Sequence, residues 1–455
     1  MPTAYTILFL LIIAVAIATW FIPSGAYDYV DGVPVAGSYH ATAPSPQGVG
    51  AVLTAAFNGF FDAVDVCVFI LMVGGFLGVV MKTGAVDAGV GAVIRKLGGK
   101  EKWLIPILMV FFGLGGTTFG MWEETMAFYP LLLPVFLAAG YDAVVGIAVI
   151  LLGAGAGVIA STVNPFATGI AAGFAGVSLG EGILLRLVQW VVFLGAAIWY
   201  VMSYAAKVKK DPSRSVVGVG AGKLHVSMEE TVPFTARRKA ILAVFAAVFA
   251  VMIYSVIPFN EIGVRLPTLG WWFPELSALF LVGGILAGLI DRMSENELVD
   301  TFVAGCADLL GVALIIGISR GITVVMNDGQ LTGTVLYWGE RALSGAGPIA
   351  FTLLTYLLYL PLSVLIPSSS GLATLSIPVL APLGRFAGVG GDLVVTAFQS
   401  ASGLVNLVTP TAAVVMGALA LGQVPYDRWL KYVWKLLVYF FVLTVLFLAV
   451  GALLG

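Results

Sequence analysis

Histidine and cysteine are scarce in this sequence, and their scarcity excludes several kinds of site. The two histidines, His40 and His225, fall in polar connections, so haem ligation, a histidine-built metal site and a relay of membrane-buried histidines are not expected. Cys67 and Cys306 each lie inside an apolar stretch, which gives no disulfide framework. Because no apolar segment combines a nucleophile with a histidine base, we do not expect an enzyme.

Charge is scarce as well. Only 10% of the 455 residues are charged, while 60% are hydrophobic, and the mean hydropathy is +1.05. Soluble domains carry about 25% charged residues, so a soluble globular chain is excluded and a multi-pass membrane protein is predicted. The first apolar stretch, residues 5–22, lacks the basic start of a secretory signal. We interpret it as a retained span.

Apolar runs long enough to cross a bilayer recur along the chain, since a spanning helix needs about 20 residues. They lie at 4–22, 57–81, 143–176, 182–205, 240–257, 274–290, 301–326, 392–422 and 430–454. Two of them are broken, at Asn164-Pro165 and at Thr409-Pro410. Two further runs, 104–139 and 349–386, are interrupted by Gly- or Ser-rich cores, which favours re-entrant hairpins.

Basic residues are concentrated in three connections, which the positive-inside rule places in the cytoplasm. The clusters are Arg95, Lys96, Lys100 and Lys102; Lys207, Lys209, Lys210, Arg214, Lys223, Arg237, Arg238 and Lys239; and Arg428, Lys431 and Lys435. The 23–50 connection has neither Lys nor Arg and is predicted to face outward. With these assignments the first hairpin opens to the cytoplasm and the second to the outside.

The two halves of the chain share landmarks at a nearly constant offset of 245–248 residues. The matching pairs are Met81 with Met326, Gly84 with Gly329, Pro130 with Pro378, Pro134 with Pro382, and Pro165 with Pro410. The extra span at 240–257 inverts the second half. We therefore predict an all-α polytopic fold of two inverted repeats, 1–205 and 239–455, joined by a cytoplasmic linker at 206–238.

Two adjacent glutamates, Glu123 and Glu124, lie in the middle of the first hairpin. A charge at the centre of a membrane costs roughly 3 kcal/mol, so such residues usually face a cavity, a partner or a substrate path. Neighbours on a helix project about 100° apart, so we expect only one of the two to face a cavity. Three roles stay open: a counter-charge for a cationic substrate group, a proton carrier, or an anchor tied to backbone amides. Trp122 is either a cation–π wall or a packing residue.

Four interruptions combine helix breakers with short polar side chains: the first tip (115–125), the first break (161–165), the second tip (367–371) and the second break (406–410). Freed carbonyls and the positive ends of half-helices suit Na⁺ and a carboxylate, respectively. We expect the four to form one site. The candidate substrate-binding residues are Glu123, Glu124, Thr118, Asn164, Ser368, Ser369, Ser370, Asn406 and Thr409. The candidate ion-coupling residues are Gly120, Ser161, Thr162, Thr168, Gly371 and Thr411.

Other charged residues fall within or near spans, among them Asp62, Asp65, Asp308 and Arg320. Asp62 and Asp308 occupy nearly equivalent places in the two halves. We interpret them as structural, either paired with Arg320 or capping a helix. The stretches 86–97 and 330–343 are predicted to be amphipathic connections at the interface.

Several of these motifs resemble the YfcC-like branch of the anaerobic C4-dicarboxylate carrier family, within the ion transporter superfamily. The resemblance runs almost end to end, and its motifs are IPSG (22–25), GMWEET (120–125), NPFATG (164–169), PSSSGL (367–372), SGLVNLVTPT (402–411) and VPYDRW (424–429). It implies a scaffold domain, which often forms a homodimer, and a transport domain of two hairpins and two broken helices that moves as an elevator. Related sodium-coupled dicarboxylate carriers have Ser-Asn-Thr signatures at the tips, and this chain does not.

The charge pattern points to a substrate other than a dicarboxylate. A dianion beside an ionised Glu123 or Glu124 would be repelled by several kcal/mol at intermediate dielectric, and no Lys or Arg lies within the four interruptions. Members of the YfcC-like branch are often described as basic amino acid antiporters, which agrees. We therefore predict a secondary active transporter of a basic amino acid in the bacterial inner membrane, acting as antiporter or symporter.

The alternatives are a proton- or sodium-coupled carrier of C4-dicarboxylates or short-chain carboxylates, and a channel. The coupling ion is expected to be Na⁺ or H⁺. No other cofactor or metal and no nucleic-acid partner is expected.

Overall fold

The computed structural model describes residues 4–30, 33–35, 37–86, 88–89, 100–118, 120–178, 180–218, 233–256, 259, 265–271 and 273–454. The helices are α1 (Ala4–Phe21), α2 (Val49–Asp62), α3 (Val64–Lys82), α4 (Leu104–Thr118), α5 (Tyr129–Ala138), α6 (Ala143–Ile159), α7 (Ile170–Ala175), α8 (Ile183–Lys210), α9 (Ala236–Val256), α10 (Phe273–Asp291), α11 (Glu295–Asp328), α12 (Leu331–Leu343), α13 (Pro348–Leu365), α14 (Ser369–Phe386), α15 (Gly391–Asn406), α16 (Ala413–Leu421) and α17 (Tyr426–Leu454). Within this part of the chain, six helices are long and apolar enough to cross a membrane: α3, α8, α10, α11, α13 and α17.

The two broken helices form the centre of the molecule. Every residue of α6 is buried, and so is nearly all of α15. Helices α6 and α15 contact each other, α4 and α8 pack on α6, and α13 packs on α15. The interruptions that follow α6 and α15 are therefore held deep inside the protein.

All four predicted interruptions are present. A turn and a 3₁₀ segment, Glu123–Phe128, separate α4 from α5, and a π-helical turn, Pro165–Gly169, follows α6. Residues 366–368 separate α13 from α14, and residues 407–412 separate α15 from α16. Pro, Gly and short polar residues were sufficient to locate these breaks, because they weaken helices locally.

One predicted span differs from the structure. The run 57–81 is two helices, α2 and α3, which are separated at Ala63, where φ is −123° and ψ is 25°. Just before this break, Gly59 lies so close to α11 that a Cβ would approach Gly317 O to 2.3 Å. The sequence around Ala63 contains no strong breaker, and the break accompanies tight packing against α11, as small residues permit in membranes.

The described chain is nearly all helical, as predicted, except that the 23–50 connection contains short strands. Strand β1 (Gly25–Ala26) pairs antiparallel with β4 (His40–Ala41), and β2 (Tyr29–Val30) pairs with β3 (Val33–Pro34). This connection packs on α12, where Tyr39 stacks on Tyr337 with ring centroids 4.0 Å apart. Two-residue strands leave almost no alternating pattern for sequence reasoning to detect.

Basic residues near several helix ends contact neighbouring segments. Lys209 Nζ lies 3.1 Å from Glu101 Oε2, and Arg238 Nε donates to Thr83 O (3.1 Å). Arg428 Nη1 donates to Val216 O (3.2 Å), which places the start of α17 beside the segment that follows α8. The predicted linker is partly helical, because α8 extends to Lys210. Residues 219–232 of that linker, most of the predicted 86–97 connection, and Arg95, Lys96 and Lys223 lie outside the described residues.

Candidate functional site

The four interruptions meet at one cavity of about 230 Å³. Typical pockets for small molecules measure roughly 300–1,000 Å³, so this cavity suits one small solute. The predicted site residues that line it are Gly120, Glu123, Glu124, Asn164, Ser368, Ser369, Ser370, Asn406 and Thr411. Residues separated by almost 300 positions in the sequence are thus brought to one wall.

The first tip and the first break touch through a glycine. Gly120 has φ +77°, a conformation that side chains rarely adopt,. A Cβ at this position would lie 2.5–2.7 Å from the side-chain amide of Asn164. Asn164 Oδ1 in turn accepts the N–H of Ala167 (3.3 Å). Gly120 therefore allows the amide to lie directly against the first tip.

Both glutamates line the cavity, which corrects the expectation that only one would. Glu123 is partly exposed, whereas Glu124 is buried. The N–H of Trp122 donates to Glu124 Oε2 (3.0 Å), so Glu124 has the backbone contact that an anchor needs. The 100° separation assumed from an α-helix does not apply here, because these residues follow an irregular turn and form a 3₁₀ segment. Trp122 lines the cavity as well.

The second tip is the N-terminus of α14. Ser368 caps this helix, and its Oγ accepts the N–H of Gly371 (3.2 Å). The hydroxyls of Ser368 and Ser370 lie 3.3 Å apart. The start of an 18-residue helix carries a partial positive charge and free N–H groups,. These groups, together with three hydroxyls, can bind a carboxylate.

The second break places an amide oxygen without a partner beside the cavity. Asn406 Oδ1 is buried, and the described part of the chain offers it no hydrogen-bond donor. An unsatisfied buried acceptor costs about 1–3 kcal/mol, so a ligand N–H or a cation would be favoured there. Nearby, Thr411 Oγ1 donates to Val364 O (2.8 Å) and lies 2.8 Å from Thr409 Oγ1.

Six predicted site residues do not line the cavity. Thr118 donates to Leu114 O (2.6 Å), Thr162 donates to Thr117 O (3.0 Å), and Thr168 donates to Ser161 Oγ (2.6 Å). Thr409 is buried beside Thr411, and Gly371 contributes its backbone to the cap of α14. The hydrogen bonds of these residues are made within the protein.

Charged side chains from α2, α3 and α11 also line the cavity, and the sequence interpretation missed this. They are Asp62, Asp65 and Arg320. Arg320 Nε lies 3.6 Å from Asp62 Oδ2, so the predicted pair is formed, but in the cavity wall. Asp308 lies apart, on an exposed face of α11. The wall thus contains four carboxylates and one guanidinium among its described residues. The available signal was the position of these three charged residues inside otherwise apolar runs, where charges usually face a cavity or a partner.

No three His, Cys, Asp or Glu side chains of the described chain are grouped so that they could hold a metal ion. A hydrated or backbone-coordinated monovalent cation needs no such group.

Comparison with known proteins relates the whole chain to transporters. The sequence model described as DcuC, C4-dicarboxylate anaerobic carrier, matches residues 1–453. An uncharacterized protein of Haemophilus influenzae is 35% identical over 95% of this chain and 93% of its own length. The Escherichia coli protein named "Putative basic amino acid antiporter YfcC" is 30% identical over 95% of this chain and 92% of its own. The solved YdaH transporter of Alcanivorax borkumensis aligns with a TM-score of 0.47 and 14% identity over 99% of this chain and 98% of that one.

Proposed function

This chain belongs to the C4-dicarboxylate anaerobic carrier family, and from that premise we propose that it is a secondary active transporter of a basic amino acid. Among the described residues, four carboxylates and one guanidinium line the cavity at the helix interruptions, and this observation carries the proposal. The name of the Escherichia coli relative agrees with it.

The cationic end of the substrate faces Glu123. This carboxylate is partly exposed, whereas Glu124 is held by the N–H of Trp122. Asp65 lines the same cavity and adds negative charge. A guanidinium or ammonium group that leaves water needs such a counter-charge, since an unpaired buried charge is very costly.

The carboxylate of the substrate lies at the second tip. Ser369, Ser370 and the N-terminus of α14 supply N–H and O–H donors, and Arg320 supplies the positive charge. The α-amino group then lies near Asn406 Oδ1, which otherwise lacks a donor in the described structure. Each end of a basic amino acid thereby has a group of matching chemistry.

The alternative hypothesis, a C4-dicarboxylate substrate, follows from the description of the family. One structural observation favours it, namely that Arg320 and the N-terminus of α14 lie in the cavity wall. Against it, each additional carboxylate placed about 5 Å from a wall carboxylate would be repelled by about 3 kcal/mol at an effective dielectric of 20. With four carboxylates present, a second substrate anion is disfavoured unless protons accompany it.

We propose the transport cycle from the same arrangement. The interruptions at 115–125, 161–165, 367–371 and 406–410 move together as the transport domain of an elevator, built from two inverted halves and supported by a homodimeric scaffold in the bacterial inner membrane. Substrate transport is driven either by exchange for another substrate or by coupled movement of Na⁺ or H⁺. Among the predicted coupling residues, Gly120 and Thr411 line the cavity, and the remainder, Ser161, Thr162, Thr168 and Gly371, are hydrogen-bonded within the protein.

Uptake of radiolabelled arginine into proteoliposomes tests the proposal. We expect Glu123→Gln to lower uptake at least tenfold and Glu124→Gln to lower it together with thermal stability. Asp308→Asn is the matched control, because it removes a carboxylate of the membrane region outside the cavity. Full arginine and lysine uptake by both glutamate variants rejects the assignment. Competition by succinate, without competition by lysine, supports the dicarboxylate alternative.

A further inference from the structure

A second cavity, of about 350 Å³, is lined in part by the basic residues at the end of α8. It lies between the start of α4 and the end of α8. Its polar lining consists of Lys102, Lys209, Lys210 and Tyr141. Its apolar lining consists of Ile105, Met202, Ala205 and Ala206. It shares no residue with the cavity at the helix interruptions.

The three lysines do not have the same surroundings. Lys209 is held by Glu101, 3.1 Å away, and its Nζ lies 5.0 Å from the centre of the Tyr141 ring. The ion pairs of the described chain include neither Lys102 nor Lys210. Two ammonium groups at one small cavity thus have no carboxylate within 4 Å among those residues, which favours an anionic ligand.

The apolar side of the cavity points to a ligand that also has a hydrophobic part. Ile105 and Ala205 are buried, each 1% exposed, and Met202 continues the same wall toward the middle of α8. Trp103, beside Lys102, is 55% exposed. Exposed tryptophans and lysines at the ends of spanning helices mark the boundary between lipid and water. A soluble anion needs no such wall.

We propose that this cavity is a binding site for an anionic phospholipid. The phosphodiester lies between Lys102 and Lys210, and the glycerol and first acyl carbons lie against Ile105, Met202 and Ala206. Basic pockets between spanning helices on the cytoplasmic side bind lipid headgroups in this way. The bound lipid links the first hairpin to α8 and stabilises their contact.

Native mass spectrometry of the full-length protein in detergent tests the proposal, with phosphatidylglycerol and zwitterionic phosphatidylethanolamine as probes. The double variant Lys102→Gln with Lys210→Gln removes the charge, and Ala206→Phe fills the cavity without changing charge. Lys431→Gln with Lys435→Gln is the matched control, because both lysines are exposed near the start of α17 and neither lines this cavity. Lys102→Arg with Lys210→Arg retains the charge.

We expect the wild type, the control and the arginine variant to retain one phosphatidylglycerol. We expect the glutamine variant to bind it roughly tenfold or more weakly, in line with two lost lysine contacts, and Ala206→Phe to lose it as well. Equal binding of phosphatidylethanolamine, or unchanged binding in the glutamine variant relative to the control, overturns the proposal. Displacement of the lipid by millimolar glycerol 3-phosphate or inorganic phosphate assigns the cavity to a soluble phosphate and also overturns it.

Discussion

Replacing Arg320 by glutamine tests the proposal that the cavity at the helix interruptions binds the carboxylate of a substrate. Arg320 Nε lies 3.6 Å from Asp62 Oδ2, and the two side chains are 29% and 53% exposed. At an effective dielectric of 20 the bare attraction is about 5 kcal/mol. Exposure to water screens such a pair to about 1 kcal/mol or less. Asp62 therefore holds Arg320 weakly enough for a substrate carboxylate to take its place.

The expected effect follows from the lost contact. A hydrogen bond to a charged group contributes about 1.5–3 kcal/mol, which corresponds to roughly 10–150-fold in affinity. We expect Arg320→Gln to raise the KM for arginine by this factor. Agmatine has the guanidinium of arginine but no carboxylate, so its competition constant should be unchanged. Asp62→Asn, which frees Arg320, should leave arginine binding unchanged or tighter.

Proteoliposome uptake of arginine, with agmatine as competitor, provides the measurement, and thermal stability in detergent shows whether each variant folds. Arg320→Lys serves as the conservative control and should retain part of the affinity, because a lysine keeps the charge but not the planar fork. If Arg320→Gln weakens arginine and agmatine equally, the contact with the carboxylate does not exist. An unchanged KM for arginine leads to the same conclusion.

Two further predictions use glycine and serine positions with matched controls. Gly120→Ala should abolish uptake, because a left-handed conformation costs about 1–2 kcal/mol and Cβ would also meet Asn164. Gly140→Ala, at φ +83° with open space around it, should lower thermal stability by the conformational cost alone. If Gly120→Ala and Gly140→Ala lose uptake and stability equally, this reasoning is wrong. Ser368→Ala should lose about 1 kcal/mol of helix capping and also raise the KM for arginine. Ser294→Ala, at the cap of α11, should lose only the stability. If the KM for arginine rises in this variant as much as in Ser368→Ala, a binding role for Ser368 is excluded.

The family resemblance seen in the motifs is confirmed by the match over residues 1–453. The helix interruptions were also predictable, since Pro165, Pro410 and the serines at 368–370 act on the backbone in their own neighbourhood. Local chemistry of this kind does not depend on which helices lie next to each other.

Other features depended on contacts between distant segments. The sequence could not distinguish the roles of Thr162 and Asn406. The hydroxyl of Thr162 donates a hydrogen bond to Thr117 O, whereas Asn406 Oδ1 has no hydrogen-bond donor among the described residues and lies beside the cavity. Both are short polar residues next to an interruption. Only the positions of α4 and α15 decide which of them finds a partner within the protein.

The sequence alone determined that this chain is a membrane protein with interrupted helices, because hydrophobicity and helix-breaking residues act locally. The tertiary structure decided which charges share the cavity. Arg320 and Asp62 are 258 positions apart, and packing of α2 and α3 against α11 brings them to the same wall. That packing depends on the shape of many small residues together, such as Gly59 against Gly317, and no local pattern encodes it.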